Sequence, residues 1–416
     1  MDKNIFNRRT FLKSSLLASG LILAPDFLKT LNAKSVIDFG YAKTDPLGYA
    51  YLRGITNPIH QIIIAGISAP NSHNTQPWKF RILSDSAFEI YADGDRQLLP
   101  IDPLNRQLYH TQGTFLEFAY LASKVIGYEC KIQYFPKGVV QSSKFDKFPI
   151  ARMEIKPSKA LLEAQKINES NGNSKPKQNF DPESLFSAIE NRQMNRGSYK
   201  GEFLTEEDLN RINEISAPSS CSLVYSLGEE KINDLLPIFN EAFVKEISDP
   251  DKNEINRIWF RLSKEEIYTK RDGITLEGNG LTNPILWIAK TFFMDMSKEG
   301  WNSKSSLKQS SESFANSIQS SKALVFFVTN GIDNEKTWID VGRDFARYTL
   351  AVAKEGVAFH TMNQAFVDSP ESNVFQEQFK SKLGLKSRSV IQLAGRLGKA
   401  DLSFVSPRRD LNEFLK

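Results

Sequence analysis

The 416-residue sequence predicts an α+β protein of antiparallel strands and long buried helices. Three patterns predict it. Trp78, Phe80 and Ile82 alternate with Lys79 and Arg81, Phe88, Ile90 and Ala92 alternate likewise, and only Ser84-Asp85-Ser86 separates most of the two runs, as in a hairpin. Residues 106–127 place Leu108, Phe115, Phe118, Ala119, Ala122, Val125 and Ile126 at helical spacing and stop at Gly127. The 29 Phe supply aromatic bulk for a well-filled core.

The elements follow in order. Asn7-Arg8-Arg9-Thr10-Phe11-Leu12-Lys13 precedes an apolar run, 14–24, and then Leu31-Asn32-Ala33, a small-residue cleavage site. The run is too short to span a bilayer, which takes ~20 residues, and the layout is that of a signal peptide over 1–33. Its removal lowers the net charge from +4 to +1. Residues 59–68 read as a short buried helix that ends at a polar loop. The hairpin follows, closed by Asp93-Gly94. After the long helix, 130–135 and 150–155 alternate again, which completes a first half over 45–155. Residues 156–182, poor in large apolar groups, read as a linker.

The second half covers 183–416. Thr205 and Asp208 form a capping-box pattern, and 221–225 is a strand. Residues 240–321 are charged and aromatic (Trp259, Phe260, Trp287, Phe292, Phe293, Trp301) and become Ser-rich from 302. They read as an insertion with helical pieces, a candidate lid. Residues 323–329 form a buried strand, 337–355 a long amphipathic helix stopped by Gly356, and 390–394 a last strand. Pro407-Arg408-Arg409 marks the tail. Each half thus holds a long helix ending in Gly with strands around it, a likeness of layout without a residue-level repeat.

Composition excludes several classes. With a net charge near zero, no long-range field steers the chain to nucleic acid. Cys130 and Cys221 are too few for a disulfide-rich scaffold or a cysteine zinc site, though one disulfide stays open. His60, His73, His110 and His360 have no HxxxH or HxH spacing, so no metal is expected. Phosphate-loop, G-x-G-x-x-G and G-x-S-x-G motifs are missing. No apolar run reaches spanning length, and no Cys follows the signal to take a lipid, so no membrane anchor is expected.

The loop is the chemical feature. Ser72-His73-Asn74-Thr75-Gln76 is an uncharged polar run that leads into Pro77 and Trp78. Amide side chains carry both donors and an acceptor, which suits the polar edge of a flat heteroaromatic ring such as flavin. The other reading is a loop that satisfies its own backbone, with Trp78 as plain core.

Ala69-Pro70-Asn71-Ser72-His73-Asn74-Thr75-Gln76-Pro77-Trp78-Lys79-Phe80 resembles the flavin loop of the FMN-dependent nitroreductase family. With the following Leu99-Pro100-Ile101-Asp102-Pro103-Leu104-Asn105-Arg106, it resembles the Acg-like branch of that family. The likeness covers roughly 58–155, 183–225 and 322–416, and is weak in the insertion, at Arg271-Asp272-Gly273. The resemblance implies a nitroreductase-like fold, a mixed or antiparallel sheet flanked by helices, with two such halves fused in one chain as a pseudo-dimer. It implies FMN between the halves, touched by Asn71, Ser72, Asn74 and Gln76. Asn71 stands where most members have Ser. A phosphate of charge near −2 calls for arginine forks. The implied phosphate run is Arg192-Gln193-Met194-Asn195-Arg196, with Arg192, Asn195 and Arg196 as contacts and Met194 where a Ser hydroxyl is expected. Arg408, then Arg409, match the basic residue near the C-terminus that the family places on the phosphate, and Asn363 and Gln364 match the flavin N5 side. The ring loop lies in one half and the arginine run in the other, so one complete site per chain is expected.

The paired arginines before Phe11-Leu12-Lys13 resemble a twin-arginine (Tat) signal, implying Tat-dependent export to the periplasm and often a cofactor inserted beforehand. The function expected is an exported FMN-binding oxidoreductase passing two electrons, ping-pong, between a small-molecule donor and acceptor. No side chain need act as acid or base, and His73 and His110 are candidates to tune protonation near the ring. Weak NAD(P)H turnover is expected outside the cytoplasm, where an unknown donor would serve. One alternative is a closed-site FMN-binding or storage protein without nitroreductase turnover. Another is an exported structural protein that has lost its flavin. A fused dimer is expected to be a monomer or weak oligomer.

Overall fold

The computed structural model describes residues 45–161, 181–279, 294–367, 369–401 and 405–416. The proposed signal, most of the linker, and Trp287, Phe292 and Phe293 lie outside the described residues.

The first half opens with helices α1 (Pro46–Leu52) and α2 (Pro58–Ile67). Pro58 suits the first turn of α2, and the Asn57 side chain accepts from the backbone N–H groups of Ile59 and His60. Strands β1 (Trp78–Ser84) and β2 (Ala87–Ala92) form the hairpin, with Trp78 opposite Ala92 and a bulge between Ile82 and Ser84. Helix α3 (Arg106–Val125) follows, then β3 (Tyr128–Tyr134) and β4 (Ala151–Pro157), which runs two residues into the expected linker. The sheet order is β1-β2-β4-β3.

The second half begins with α4 (Pro182–Phe186) and α5 (Glu206–Ser216), where Thr205 and Asp208 make the full capping box. Strand β5 (Ser222–Ser226) follows. The insertion then supplies α6 (Glu229–Ser248), α7 (Pro250–Ile258), β6 (Phe260–Arg261), α8 (Lys264–Lys270), β7 (Ile274–Thr275), α9 (Lys298–Trp301) and α10 (Lys304–Gln319). Its first helix starts ahead of residue 240. The chain continues with β8 (Ala323–Asn330), α11 (Glu335–Lys354), β9 (Ala358–Thr361), α12 (Pro370–Lys382) and β10 (Ser389–Gly398). The second sheet is ordered β5-β8-β10-β9. Both four-stranded sheets are antiparallel throughout.

Each half therefore runs helix, strand, strand, long helix, strand, strand, with the same strand order, and the second adds α12 between its last two strands. Where the first half makes a tight hairpin turn, the second holds the insertion. The long helices α3 and α11 pack on each other through their eighth residues, Gly113 and Gly342. A Cβ on Gly113 would lie 2.1 Å from the Ile339 carbonyl oxygen, and one on Gly342 would lie 2.2 Å from that of His110. Each glycine meets the residue three before the other, a residue-level correspondence that the sequence pattern does not reveal.

The C-terminal tail crosses to the first half. Phe80 N–H donates to the Phe414 carbonyl at 2.7 Å, and Lys416 N–H to that of Phe80 at 2.8 Å, so the tail of the second half joins β1 of the first. Asn195 N–H donates to the Phe359 carbonyl at 2.9 Å, which ties the arginine run to β9. One apolar core spans both halves around α3 and α11, and a second lies under the insertion around Phe239, Phe326 and Phe379. Cys130 and Cys221 are free thiols.

Candidate functional site

The polar loop is a tight irregular turn. His73, Asn74 and Gln76 take left-handed φ of 51°, 52° and 51°, a conformation that asparagine tolerates better than most residues. Asn71 closes the turn: its Oδ1 accepts from Gln76 N–H at 2.8 Å. Thr114 of α3 donates to the Pro70 carbonyl at 2.7 Å, and Ser72 to Gln107 Oε1 at 2.9 Å. Trp78 is fully buried 5.6 Å from the Phe115 ring, so the aromatic that ends the motif is core.

The tail locks the loop from behind. Arg408 donates to the carbonyls of Ile67, Ser68 and Ala69 at 2.7, 3.1 and 3.2 Å, covering the open end of α2, and to Asn74 Oδ1 at 2.9 Å. Gln76, fully buried, donates to the Arg271 carbonyl at 2.8 Å and accepts from Arg409 N–H at 3.0 Å. The Arg409 guanidinium donates to the Gln76 carbonyl and lies over the Phe414 ring.

In front of the loop lies a cavity walled by both halves. Asn71, Ser72 and Asn74 line it from the first half, Arg192, Arg196, Asn363 and Gln364 from the second, and Arg408 from the tail. Gln76, Asn195 and Arg409 stand outside that lining. Gln76 and Arg409 bind protein behind the loop, and the Asn195 side chain accepts from Gly197 N–H at 2.9 Å. The insertion contributes Gly273, Ile274, Thr275 and Gly278.

The wall is cationic. Its one carboxylate among the lining residues is Glu190, against three arginines. Arg192 Nε is enclosed with no hydrogen-bond partner among the described residues, and burial, with the nearby Arg408 charge, pushes this guanidinium down to about 9. Burial pushes Arg196 down to about 10, where it donates to the Gly278 carbonyl at 3.0 Å. Three histidines line the same space. Burial pushes His73 down to about 4 and His110 to about 3, the latter with help from the Arg106 charge, and holds His360 well below its ordinary range. In all three, burial favours the neutral imidazole.

The insertion is fastened across this space. Gly273 N–H donates to the Asn74 carbonyl at 3.1 Å, and Arg96 bridges the Thr75 carbonyl and Asp272, both at 2.8 Å. His73 Nε2 lies 2.7 Å from Asn256 Oδ1 on α7. Gln107, Thr114, His360, Ile274, Thr275 and Gly278 belong to the site but escaped sequence reasoning, which reached the insertion only at Arg271-Asp272-Gly273. They reach it only through tertiary packing, and no local pattern marks them.

The second half has a matching corner. Ala217-Pro218 follows α5 as Ala69-Pro70 follows α2. There the backbone N–H groups of Ser219, Ser220 and Cys221 donate to Asp344 Oδ2 at 3.0, 2.6 and 3.1 Å. Arg347 pairs with Asp344 and with Glu117 and caps the Ser216 carbonyl, while Arg343 pairs with Glu117 at 2.6 Å.

Among the described residues, no group of three or more His, Cys, Asp or Glu could hold a metal ion, and no helix is long and apolar enough to cross a membrane.

No family model matches the chain. Two Mycobacterium tuberculosis proteins, from strains CDC 1551 and H37Rv, both provisionally named NAD(P)H nitroreductases, are 32% identical to it over 78 residues. That stretch is 19% of this chain, and the chain spans only 22% of the length of these curated relatives. Among solved structures, the FMN- and NADPH-dependent nitroreductase NfnB of Sphigopyxis sp. strain HMH aligns with a TM-score of 0.36 and 16% identity over 56% of this chain and 97% of its own. A Bacteroides fragilis nitroreductase with bound FMN aligns with a TM-score of 0.30 and 17% identity over 54% and 94%.

Proposed function

We propose that the chain is an FMN-binding oxidoreductase of the nitroreductase type, with one FMN held between two fused, nitroreductase-like halves. The observation that carries this reading is the meeting of Arg192, Arg196 and Arg408 with the Asn71–Asn74 loop around one cavity walled by both halves. The repeated strand order and the reciprocal glycine crossing support a pseudo-dimer. The 32% identity to the two mycobacterial proteins supports the family.

The residues present fit FMN. An enclosed arginine nitrogen with no partner among the described residues, beside a second arginine, calls for an anion, which the phosphate would supply. Arg192 and Arg196 would hold that phosphate. Asn71, Ser72, Asn74, Asn363 and Gln364 offer amide and hydroxyl groups to the ring and its ribityl chain. Arg408 acts behind them by holding Asn74 and the end of α2. Bound FMN would supply two-electron, ping-pong chemistry between a small-molecule donor and acceptor. Neutral His73, His110 and His360 would leave the cationic balance of the pocket to the arginines. The Acg-like motif and the Arg8-Arg9 segment support the finer reading, a Tat-exported periplasmic protein that makes little use of NAD(P)H.

One observation favours a second reading. The insertion is tied to Asn74, Thr75, Gln76 and Arg196, which would cover a bound ring and suit a closed FMN-binding or storage protein. Slow reaction of bound FMN with dithionite or small nitro compounds would select it.

A visible spectrum of the purified chain, followed by release of any flavin, tests the proposal. Flavin bands and one FMN per chain are expected. Two FMN per chain would sink the single-site arrangement, and a colourless chain that refuses added FMN would sink the flavin reading.

A further inference from the structure

His360 stands in the cavity wall on β9, next to Phe359, whose carbonyl accepts from Asn195 between the two arginines of the run. Its ring is held by Arg396, a fully buried guanidinium on β10. Arg396 Nε donates to His360 Nδ1 at 3.1 Å. The other arms of Arg396 are committed: Nη1 to the Ser317 carbonyl and Nη2 to the Gly197 carbonyl, both at 2.7 Å, with the guanidinium carbon 4.0 Å from the centre of the Tyr199 ring.

An arginine can only donate. His360 Nδ1 must therefore be the lone-pair nitrogen, and the proton of the neutral ring must sit on Nε2. Protonating Nδ1 as well would set an N–H against the Arg396 N–H. Burial and the Arg396 and Arg196 charges act in the same direction and hold the imidazole well below its ordinary range. Nε2–H has no protein partner among the described residues. His360 is thus a donor of fixed tautomer at one edge of a cavity that already carries Arg192 and Arg196. Met194, between those arginines, offers only a thioether, and Thr361 Oγ1 lies 3.8 Å from it. The imidazole of His360 is thus a further donor in this cationic wall that can meet an acceptor in the cavity.

We propose that His360 is a ligand-binding residue whose Nε2–H donates to the phosphate of the bound flavin nucleotide beside Arg192 and Arg196, with Arg396 as the positioning residue that sets its tautomer. The assignment rests on the FMN reading above and adds, beside Arg192 and Arg196, a third residue that separates FMN from riboflavin. It also makes that contact insensitive to histidine titration.

The test compares FMN and riboflavin binding, by quenching of flavin fluorescence, in the wild-type chain and two variants. His360→Asn keeps an acceptor for Arg396 but cannot reach the Nε2 position. It is expected to weaken FMN about tenfold, the scale of one charge-assisted hydrogen bond, and to leave riboflavin unchanged. His360→Gln, with an amide N–H near the Nε2 position, is expected to recover part of the FMN affinity. In the wild-type chain, ¹⁵N-histidine spectra are expected to show an Nε2–H ring that does not titrate between about pH 5.5 and 8. Unchanged FMN binding in His360→Asn, or an equal loss for FMN and riboflavin, would overturn the assignment and leave the flavin reading standing. So would a wild-type His360 that titrates or carries its proton on Nδ1. A wild-type chain that binds neither flavin would instead overturn the functional reading, and this assignment with it. A variant that melts early is set aside for the other, and the wild-type spectra decide if both do.

Discussion

The two helix-to-strand corners start alike and end in opposite states. Each follows a helix with Ala-Pro and enters the outer strand of a four-stranded sheet. In the first, residues 68–77 spread into a left-handed turn whose outer face meets a cavity. In the second, residues 217–221 wrap their backbone N–H groups around Asp344. The helix behind each corner explains the difference. Counting from the crossing glycines, α3 presents Thr114 and Phe115 where α11 presents Arg343 and Asp344. A small hydroxyl and an aromatic leave room for a ligand, whereas a carboxylate fills the corner from within. Glu117, Arg343 and Arg347 then neutralise that carboxylate's surroundings. One scaffold thus carries one open and one self-filled corner.

Breaking the filled corner gives the largest expected effect. Asp344→Ala leaves three backbone N–H groups and Arg347 without their shared acceptor in a buried place. The cost expected is about 3–5 kcal/mol, read as a fall in the urea midpoint. Asp344→Asn keeps an oxygen for some of the donors and should lose less. An alanine variant as stable as wild type would mean that the carboxylate does not fill that corner.

The second contrast is the insertion, which stands where the first half has a two-residue turn, Asp85-Ser86. It carries Glu246 on α6, which is buried, and burial pushes this carboxyl up to about 7 against a bond from Asn256 and the Lys252 charge. The folded pKa lies above the unfolded value of 4.5. The stabilisation is therefore complete below 4.5 and is lost as pH rises through about 7, by about 3 kcal/mol in all. Denaturation between acid and mildly alkaline pH should show that loss, and Glu246→Gln should remove it. A wild-type profile flat across this range would contradict the burial of the acid.

The glycine crossing sharpens the likeness between the halves. Gly113→Ala and Gly342→Ala each force a methyl onto a carbonyl of the facing helix and should cost about 1–3 kcal/mol or more. Because the contacts are reciprocal, the two losses should match within about 1 kcal/mol. A large loss at one position and none at the other would break the pseudo-symmetry.

Much of this was legible in the chain, for physical reasons that differ by element. The hairpin, α2, α3 and α11 announced themselves because burial on one face imposes a period on the sequence. The β9 strand and α12 did not: the first is four residues long, and the second, Pro370–Lys382, lies among polar residues with weak periodicity. The loop motif led to Asn71, Ser72 and Asn74, and the arginine run to Arg192 and Arg196. Gln76 and Arg409 follow the same motifs yet face protein, because side-chain direction within an irregular turn is set by packing. His360 and Arg396 were illegible for a related reason. Their roles depend on which nitrogen faces which, across strands 36 residues apart in the chain.

The smallest effect tests the open corner with no ligand present. Arg192 keeps an enclosed Nε without a partner among the described residues, beside the like charge of Arg408. Such a group costs stability in the ligand-free chain, because burial removes its water and no group among the described residues replaces it. Arg192→Met keeps the apolar stem and removes the charge. It should raise ligand-free stability by about 1 kcal/mol while weakening FMN far more than riboflavin. Gain and loss together would identify an arginine held for an anion. Loss of stability with unchanged flavin binding would identify it instead as an ordinary structural contact, and would remove the main electrostatic difference between the two corners.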